Sequence, residues 1–482
     1  MLLRRSAESK ERKVKKEKKV KVRKMIDLNA EYLKMGIDKK VIDFVNKNEN
    51  KVKERFEKID EVASFNFTRV LNAFRNAAVS EADLGSTTGY GYNDTGREKL
   101  EKIFAELFGA ESALVRPSIT CGTHALAIAL SANLRPGDEL LSPVGKPYDT
   151  LEGVIGIRST DDIFDSTKRS MDVSDIRESH ENADETYRRH LTGSLAEYGV
   201  TYRQVDLKED ESFDFEGIKA ALNEKTKLVT IQRSKGYQTR HTFSVEEIGE
   251  LCKFIKDLRP DVAIMVDNCY GEFIEPIEPG MVGADLVVGS LIKNAGGSLA
   301  PIGGYIAGRE DLVENCAYRL NAPGLGREVG ATLGLNRNFF HGLFLAPTVT
   351  AAAVKGSILL SSCFEEMGFK CVPSASEERH DIIQSIVLGT AERVIAFAQG
   401  IQAASPIDSN VTPEPWPMPG YHSDVIMAAG TFVSGASIEL SADAPLEEPY
   451  AIYYQGGITY PHAKAGILMA IQKLYEKNLI DI

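Results

Sequence analysis

The fold of this chain is decided by one stretch, Val287-Val288-Gly289-Ser290-Leu291-Ile292-Lys293-Asn294-Ala295-Gly296-Gly297. It begins as an apolar β-type run, passes through a small polar turn and presents a single lysine, Lys293. The glycines at its end leave the nearby backbone open, and no acidic residue is adjacent to Lys293 in the sequence. A poorly solvated amine of this kind can have a depressed pKa and attack a carbonyl, although a lone lysine in a glycine-rich loop is more often a surface residue.

A second apolar segment, Ile264-Met265-Val266-Asp267, favours a functional lysine. It has the character of a buried strand that ends in an aspartate, and it precedes a strand that ends in Ser-x-x-Lys. This arrangement suits pyridoxal 5'-phosphate (PLP), because the aspartate can pair with the pyridinium nitrogen and the lysine can carry the cofactor aldehyde. The sequence therefore predicts PLP as the cofactor, bound at Asp267 and Lys293.

Size and composition limit the classes of protein to which this chain can belong. With 482 residues, 43% of them hydrophobic and 26% charged, the chain is long enough for more than one domain. The net charge of -12 disfavours nucleic acid as a partner, and the sequence suggests no membrane span. The six cysteines have no CxxC spacing, which indicates free thiols in a reducing compartment and no metal site. We therefore expect a cytoplasmic protein, with organelle targeting by the basic N terminus as an alternative.

The order of patterns along the chain predicts four regions. Strands alternate with helices, which predicts an α/β fold with a mostly parallel sheet and helices on both faces. Polar residues follow the strands, at the end where such sheets bind ligands. The regions are a basic disordered extension at 1–24, an N-terminal helical arm at 25–84, a large PLP-binding domain at 85–325 with an insert at about 158–192, and a linking helix with a smaller C-terminal α/β domain at 326–482.

Some local predictions are more detailed. The helical arm is expected to be a packing surface, with a subunit interface as one option. In the C-terminal part, the pattern favours a long helical region at 329–366 that is interrupted at Pro347. It also favours a helix at 376–402 and strands near 425–433 and at 437–440.

A candidate phosphate site follows the strand Ala113-Leu114-Val115-Arg116-Pro117. A small-residue turn leads into a helix at Gly122-Thr123, and the N–H groups at a helix start can bind phosphate. Ser290 stands three residues before Lys293, where it can reach the same phosphate. Together with Asp267, in this order and spacing, these features predict a fold-type I, PLP-dependent transferase-like enzyme.

Further motifs resemble one family. The chain is similar to the methionine gamma-lyase-like family, also called the aluminium resistance protein family, over roughly residues 60–480. The basic tail and the insert depart from the family pattern. The motifs that carry the resemblance are GYGYNDTGRE (89–98), GTHA (122–125), LRPGDE (134–139), KPYDTLEGVIG (146–156), IQRSKGY (231–237), VDNCYGEF (266–273), GSLIKNAGG (289–297) and APGLGREVG (322–330).

The resemblance implies roles for individual residues. Lys293 would bind the cofactor covalently and act as the catalytic base, and Asp267 would pair with the pyridine nitrogen. Tyr148 would stack on the ring as a second catalytic residue, with His124 as the competing candidate. The residues implied to contact the cofactor are Gly122, Thr123, His124, Ser234, Asp267, Ser290 and Lys293, together with Tyr92.

The resemblance also implies features of assembly and substrate binding. Tyr90 and Tyr92 resemble an aromatic loop that related enzymes lend to the phosphate of the neighbouring subunit, which implies a homodimer or a homotetramer. The carboxylate of an amino-acid substrate requires an arginine. Three arginines are candidates and the choice stays open: Arg233, Arg240 and Arg327.

The implied activity is PLP-dependent cleavage of a carbon–sulfur bond. Elimination from a sulfur amino acid, as in a methionine gamma-lyase or a cystathionine lyase, would yield a 2-oxo acid, ammonia and a thiol, with β- and γ-elimination both open. An aminotransferase is an alternative, but the pair of reactive arginines that it needs is not evident. A non-catalytic PLP-binding homologue linked to metal tolerance is disfavoured by the intact Lys293 and Asp267. No GxGxxG motif opens a βα unit, so a Rossmann NAD enzyme is not predicted.

Overall fold

The structure, a computed structural model, describes residues 27–90, 94–157, 193–238, 240–417 and 423–482. The predicted extension at 1–24, the predicted insert at 158–192 and Tyr92 lie outside the described residues. Two sheets organise the part of the chain that is described, one of seven strands and one of five strands. The α-helices of these ranges are α1 (Leu28–Lys34), α2 (Lys39–Lys51), α3 (Lys53–Asn76), α4 (Thr95–Phe108), α5 (Gly122–Asn133), α6 (Asp149–Ile155), α7 (Phe215–Ala221), α8 (Val245–Leu258), α9 (Glu310–Leu320), α10 (Asn336–Glu366), α11 (Ala391–Ala403) and α12 (Tyr460–Glu476).

The larger sheet has the strand order β1-β7-β6-β5-β4-β2-β3. Strands β3, β2, β4, β5 and β6 are parallel to their neighbours, whereas β7 is antiparallel to both β6 and β1. The prediction of an α/β fold with a mostly parallel sheet is confirmed. The strands are β1 (Ser112–Arg116), β2 (Glu139–Ser142), β3 (Thr201–Gln204), β4 (Thr226–Gln232), β5 (Ala263–Asp267), β6 (Leu286–Ser290) and β7 (Gly304–Gly308).

Helices cover both faces of this sheet. On one face, Leu126 of α5 and Val313 of α9 share a buried cluster with Met265 and Val288 of the central strands. On the other face, residues of α4, α8 and α10 share a second cluster with Val266 and the remaining inward side chains. Because both faces are buried, the central strands are continuous apolar runs, as is usual for parallel strands.

The smaller sheet is antiparallel throughout, with the strand order β10-β11-β12-β9-β8. Helices α10, α11 and α12 pack on it. The strands are β8 (Lys370–Val372), β9 (Gln384–Val387), β10 (Val425–Ala428), β11 (Ser441–Pro445) and β12 (Ala451–Gln455).

The N-terminal helices pack within their own chain. Val41, Ile42 and Val45 of α2 are buried in the same apolar cluster as Phe364 of α10 and Ile467 of α12. This cluster also forms the core beneath the smaller sheet, so α2 completes the C-terminal domain. A subunit interface is therefore not needed to explain the apolar face of α2.

Helix α10 corrects the prediction of an interrupted helix. It runs without a break through Pro347, and Pro347 itself is buried. Packing between the two domains overrides the local cost of a proline in a helix. Residues 329–335 are not helical, because Leu333 and Gly334 adopt left-handed conformations with φ of 54° and 74°. Among the described residues α10 alone is long and apolar enough to span a membrane, but 78% of its most apolar window is buried inside the protein, as in a core helix.

Two predictions for the smaller domain are wrong in detail. Strand β9 occupies part of the predicted helix at 376–402. Gly389 has a φ of 78°, and Thr390 then caps α11, so the helix begins only after this turn. The predicted strand at 437–440 is instead a turn, because the Glu439 carboxylate accepts the backbone N–H groups of Phe432 and Val433.

Candidate active site

The C-terminal ends of three neighbouring parallel strands meet at one edge of the larger sheet. Strand β4 ends at Gln232, β5 at Asp267 and β6 at Ser290. Gln232 pairs with Asp267, and Asp267 pairs with Val288, so the three strand ends are adjacent. Lys293 follows and caps a short 3-10 turn. The fold therefore brings the predicted acid and the predicted amine to the same edge.

The Lys293 side chain lies over the ring of Tyr270, with Nζ 3.9 Å from the ring centre. Burial lowers the pKa of this amine, but the acidic groups around it outweigh burial and raise the pKa above its ordinary value. The depressed pKa predicted from the sequence is therefore wrong for the cofactor-free chain. The acidic groups come from the end of β5 and the segment after it, which the sequence next to Lys293 did not reveal: Cys269, Tyr270, Asp267 and Glu272.

Asp267 is the last residue of β5, and its Oδ1 accepts the backbone N–H of Cys269 at 3.1 Å. Burial raises the pKa of this carboxyl group, while the charge of Lys293 and the Cys269 N–H lower it. A carboxylate that is buried away from water is stabilised by a cationic partner. This position suits an acid that pairs with a protonated ring nitrogen.

A small recess lies between the start of α5 and the end of β6. A Cβ atom on Gly122 would lie 3.2 Å from Cys269 Sγ and 3.4 Å from Ser290 Cβ, so a larger residue would fill the recess. Cys121 precedes the helix and gives it no side-chain cap. The Ser290 hydroxyl is fully buried and has no hydrogen-bond partner among the described residues. Backbone N–H groups at an uncapped helix start and an unpartnered hydroxyl form a recess suited to phosphate.

The next two residues of α5 make local contacts. Thr123 Oγ1 lies 2.8 Å from Thr150 Oγ1, which ties α5 to the first turn of α6. His124 Nδ1 accepts the backbone N–H of Thr120 at 3.2 Å. This bond orients the imidazole toward its own helix start, which is the ordinary structural use of a histidine at such a position.

Tyr148 lies directly before α6, on the wall of a cavity of about 170 Å³. Its ring centre is 6.2 Å from that of Tyr237, which lines the same cavity. Tyr270 also lines the cavity and contacts Lys293, so Tyr148 faces the region around the amine. The ring-stacking role of Tyr148 stays a prediction.

Ser234 has a partner in the other domain. Its hydroxyl donates to Asp381 Oδ2 at 2.8 Å, and Thr242 donates to the same oxygen. Asp381 Oδ1 accepts the backbone N–H of Ile383 at 2.9 Å. Ser234 therefore joins the loop after β4 to the smaller domain, and its predicted contact with the cofactor stays a prediction.

Arg233 is fully buried and its guanidinium is occupied by the protein. Nε donates to the carbonyl of Phe243, and Nη1 donates to Asn268 Oδ1 and to the carbonyl of Gly271. Nη2 forms an ion pair of 2.6 Å with Glu275. This arginine supports the segment after β5 and has no donor directed to a substrate.

Arg240 is likewise engaged by backbone carbonyls, and burial lowers its pKa to about 10. Its acceptors are the carbonyls of Gln232, Arg233, Ser234 and His241 and the side chain of Gln238.

Arg327 lies along edge strand β1, where it contacts Ser112 at 3.0 Å and Glu314 at 3.3 Å. The arginine that binds the substrate carboxylate therefore stays open.

Tyr90 belongs to a loop that is held at its base and exposed at its tip. Gly89 lies so close to Gly330 that a Cβ atom on Gly89 would be 1.9 Å from the Gly330 carbonyl oxygen. Tyr90 itself is 86% exposed. Tyr92, its predicted companion, lies outside the described residues.

The sequence matches the methionine gamma-lyase family over residues 41–174 and 186–475. The chain belongs to the methionine gamma-lyase family. Members of this family are PLP-dependent enzymes of fold type I, so the predicted cofactor and fold class are confirmed.

Several relatives resemble the chain over nearly their whole length. The uncharacterized protein YnbB of Bacillus subtilis is 47% identical over 424 residues, which cover 88% of this chain and 94% of YnbB. A carbon-sulfur lyase involved in aluminium resistance from Clostridium novyi has a TM-score of 0.82 and 44% identity, covering 92% of this chain and 98% of that chain. A proposed cystathionine beta-lyase involved in aluminium resistance from Listeria monocytogenes has a TM-score of 0.81 and 46% identity, covering 89% of this chain and 99% of that chain.

The residues at the sheet edge fit the PLP of the methionine gamma-lyase family. The recess at Gly122 and the unpartnered hydroxyl of Ser290 suit the phosphate. Asp267 can pair with the ring nitrogen, and Lys293 can bind the aldehyde. Asp267 ends β5 and Lys293 follows β6, and these two strands are neighbours. Within the described ranges, no group of three or more His, Cys, Asp or Glu side chains is placed to hold a metal ion.

Sequence reasoning missed three residues around this site. Tyr270 stood within the VDNCYGEF motif, but only the fold places its ring against Lys293. Glu272 is fully buried; its Oε1 accepts the Tyr305 hydroxyl at 2.9 Å, and burial raises its pKa to about 8. Asp443 lines the same cavity as Tyr148, and burial raises its pKa to about 7. Asp443 carried no sequence signal, since it lies far along the chain in a domain without motifs.

Proposed function

We propose that the protein is a carbon–sulfur lyase that uses PLP to eliminate a thiol from a sulfur amino acid, releasing a 2-oxo acid and ammonia. One observation carries the proposal. The amine of Lys293 is held on the Tyr270 ring at the strand edge that also bears Asp267 and the recess beside Ser290. Membership of a lyase family and similarity to a protein described as a carbon-sulfur lyase support the same activity.

When bound, PLP supplies an electron sink for the electron pair that remains at Cα after proton loss. Lys293 is the base that takes this proton at Nζ. Pairing of the Asp267 carboxylate with a cationic ring nitrogen neutralises one of the charges that raise the pKa of Lys293. The amine can then act as a base at neutral pH, and the Tyr270 ring restricts its position.

The surroundings of Lys293 leave one side of it open. Leu291, Asn294 and Ala295 are buried, whereas Lys293 itself is half-buried, so the side chain is accessible to a cofactor. The cavity lined by Tyr148 and Tyr270 provides space for the part of the substrate beyond Cα. We infer that the departing thiol leaves through this cavity.

An aminotransferase is the second candidate, and the arginines do not separate it from a lyase. Both activities need a donor for a substrate carboxylate, and Arg233 and Arg240 donate to protein acceptors while Arg327 lies along β1. Elimination is favoured by membership of a lyase family and by similarity to a protein described as a carbon-sulfur lyase.

We also propose a homodimer as the smallest active assembly. The exposed Tyr90, on a loop fixed by the Gly89–Gly330 contact, supports this proposal because a large aromatic side chain at 86% exposure is suited to a partner surface.

The test is an elimination assay with the PLP-loaded protein and no added keto acid. L-methionine and L-cystathionine are incubated separately, and 2-oxo acid and thiol are quantified. The proposal expects both products in equal amounts from at least one substrate, and none with Lys293→Ala. Amino-group transfer that requires an added keto acid would instead support the aminotransferase.

A further inference from the structure

The smaller domain contributes a carboxyl group to the cavity beside Lys293. Asp443 lies in β11 and lines the cavity of about 170 Å³ together with Tyr148, Tyr237 and Tyr270. The carboxyl group accepts a hydrogen bond from Tyr237, and its Oδ2 accepts a long one of 3.5 Å from Gln455, whereas its Oδ1 has no hydrogen-bond partner among the described residues. The protein therefore leaves part of the hydrogen-bonding capacity of this buried carboxyl group unused. This lowers the stability of the protein unless a ligand supplies the missing partner.

The rest of the cavity wall is neutral. Three tyrosines and a set of small or amide side chains line it, and Asp443 is the only residue with a formally charged side chain among the described lining residues. Aromatic ring faces favour cations in the same way as a carboxylate does. The wall is thus suited to a cationic group and poorly suited to an anionic one.

The position of Tyr270 relates this cavity to the reacting amine. Tyr270 contacts Lys293 Nζ and also lines the cavity, so a substrate attached near Lys293 extends into it. The α-amino group of the substrate reacts at the cofactor and is not available to Asp443. The cation that suits Asp443 must belong to the part of the substrate that leaves.

The cavity is large enough for that part. On the measure by which a single water molecule needs about 10–15 Å³, the cavity has about 170 Å³, so a short chain of a few heavy atoms fits. An aminoalkyl thiol is of this size.

We propose that Asp443 is a specificity-determining residue whose carboxylate binds an ammonium group on the departing thiol. The preferred substrates are then sulfur amino acids whose leaving thiol carries an amine. This inference rests on the proposed elimination of a thiol.

The test compares two compounds of equal length, S-(2-aminoethyl)-L-cysteine and S-propyl-L-cysteine, which differ only in a terminal ammonium or methyl group. Binding to the PLP-loaded protein is measured by rapid mixing, from the change in cofactor absorbance that precedes thiol release, and thiol release is measured in parallel. We expect the aminoethyl compound to bind about 10-fold more tightly or better to the wild-type protein. Asp443→Asn should bring the ratio close to one without weakening the propyl compound. Asp424→Asn, an exposed aspartate in the same domain that does not line the cavity, should leave the ratio unchanged.

The outcomes separate this inference from the proposed function. Equal binding of the two compounds by the wild-type protein, or a ratio that Asp443→Asn leaves intact, would overturn the role of Asp443. Tighter binding of the aminoethyl compound without release of either thiol would support Asp443 and contradict the proposed lyase activity. Equal binding by the wild-type protein would be decisive even where the variant does not fold.

Discussion

Lys293 Nζ rests 3.9 Å from the centre of the Tyr270 ring, in a contact between two residues that are far apart in the sequence. Tyr270 has a φ of 74°, a left-handed conformation that is unfavourable for a bulky side chain. Such a conformation persists only where the surrounding structure enforces it, often at a functional site. Asn294 contributes to this enforcement, because its Nδ2 donates to the Tyr270 carbonyl at 2.9 Å. The turn after β5 thus places an aromatic ring against the reactive amine.

Replacement of Tyr270 by leucine is expected to lower kcat/KM for thiol elimination by about 2- to 30-fold, which corresponds to loss of a cation–π contact of about 0.5–2 kcal/mol. Tyr270→Phe keeps the ring and should retain most of the activity. The measurement is a steady-state comparison at equal cofactor content, judged by absorbance. Equal kcat/KM values for the leucine variant and the wild type would show that the ring does not position Lys293.

Replacement of Gly122 by alanine is expected to weaken PLP binding. The added Cβ would lie 3.2 Å from Cys269 Sγ and would fill the recess beside Ser290. We expect the Kd for PLP to rise by about 10-fold or more, as for the loss of one to two hydrogen bonds to a charged group. Gly153→Ala is the matched control, because a Cβ atom at Gly153 meets nothing within 4 Å. An unchanged Kd for Gly122→Ala would place the phosphate elsewhere.

Ser234 and Ser290 are expected to respond in opposite ways to replacement by alanine. Ser234→Ala removes a buried hydrogen bond to Asp381 between the two domains, so it should lower the free energy of unfolding by about 1–3 kcal/mol with little change in the Kd for PLP. Ser290→Ala should raise the Kd for PLP with little loss of stability, since its hydroxyl has no protein partner. Denaturant unfolding and cofactor titration of both variants measure the two effects. A raised Kd for Ser234→Ala would restore the cofactor contact predicted from the sequence.

Glu272 is expected to make stability fall as the pH rises. Its pKa is about 8 in the folded chain against 4.5 for the ordinary carboxyl group, so the folded chain keeps a proton that the unfolded chain releases between these values. The stabilising contribution of this proton is complete below about pH 4.5 and is lost as the pH rises through about 8. Glu272→Gln should reduce the difference in unfolding free energy between about pH 5 and pH 8, which lies within the range of this loss, whereas Glu246→Gln, at an exposed position, should not. An unchanged pH dependence in Glu272→Gln would mean that Glu272 ionises normally.

Much of the fold follows from local patterns. Continuous apolar strands and the helices between them indicate a parallel sheet, and Asp267 and Ser290 mark the ends of two neighbouring strands. The site residues that could be found from the sequence are those whose role depends on such strand ends. Gly122 belongs to the same class, because it opens a helix after β1, where backbone N–H groups can bind phosphate, although a Gly-Thr pair alone is also a common helix cap.

Other features depend on contacts between distant segments. Arg233 and Arg240 were candidates because arginine binds carboxylates, yet the guanidinium of Arg233 meets Glu275, which lies more than 40 residues away. The continuity of α10 through Pro347 depends on burial that local propensity does not report. The pKa of Lys293 depends on acids from another strand end. Asp443 comes from the second domain, and only the packing of the two domains places it in the cavity.

Lys293, the proposed attachment point of PLP, has a rival among the described residues. Lys235 is fully buried near the same sheet edge, and burial lowers its pKa to about 8, which favours a nucleophilic amine. Lys293 has a raised pKa in the cofactor-free chain but lies beside Asp267 and the phosphate recess. Geometry and acidity therefore favour different residues, and we assign the role to Lys293 on geometry.

The most direct test reduces the PLP-loaded protein with borohydride, which fixes the cofactor to the amine that carries it, and locates the adduct by peptide mass spectrometry. If Lys293 carries PLP, we expect an adduct on the peptide that contains Lys293 and no adduct on any lysine of the Lys293→Ala variant. An adduct on Lys235, or a protein whose adduct is unaffected by Lys293→Ala, would contradict the assignment of this site.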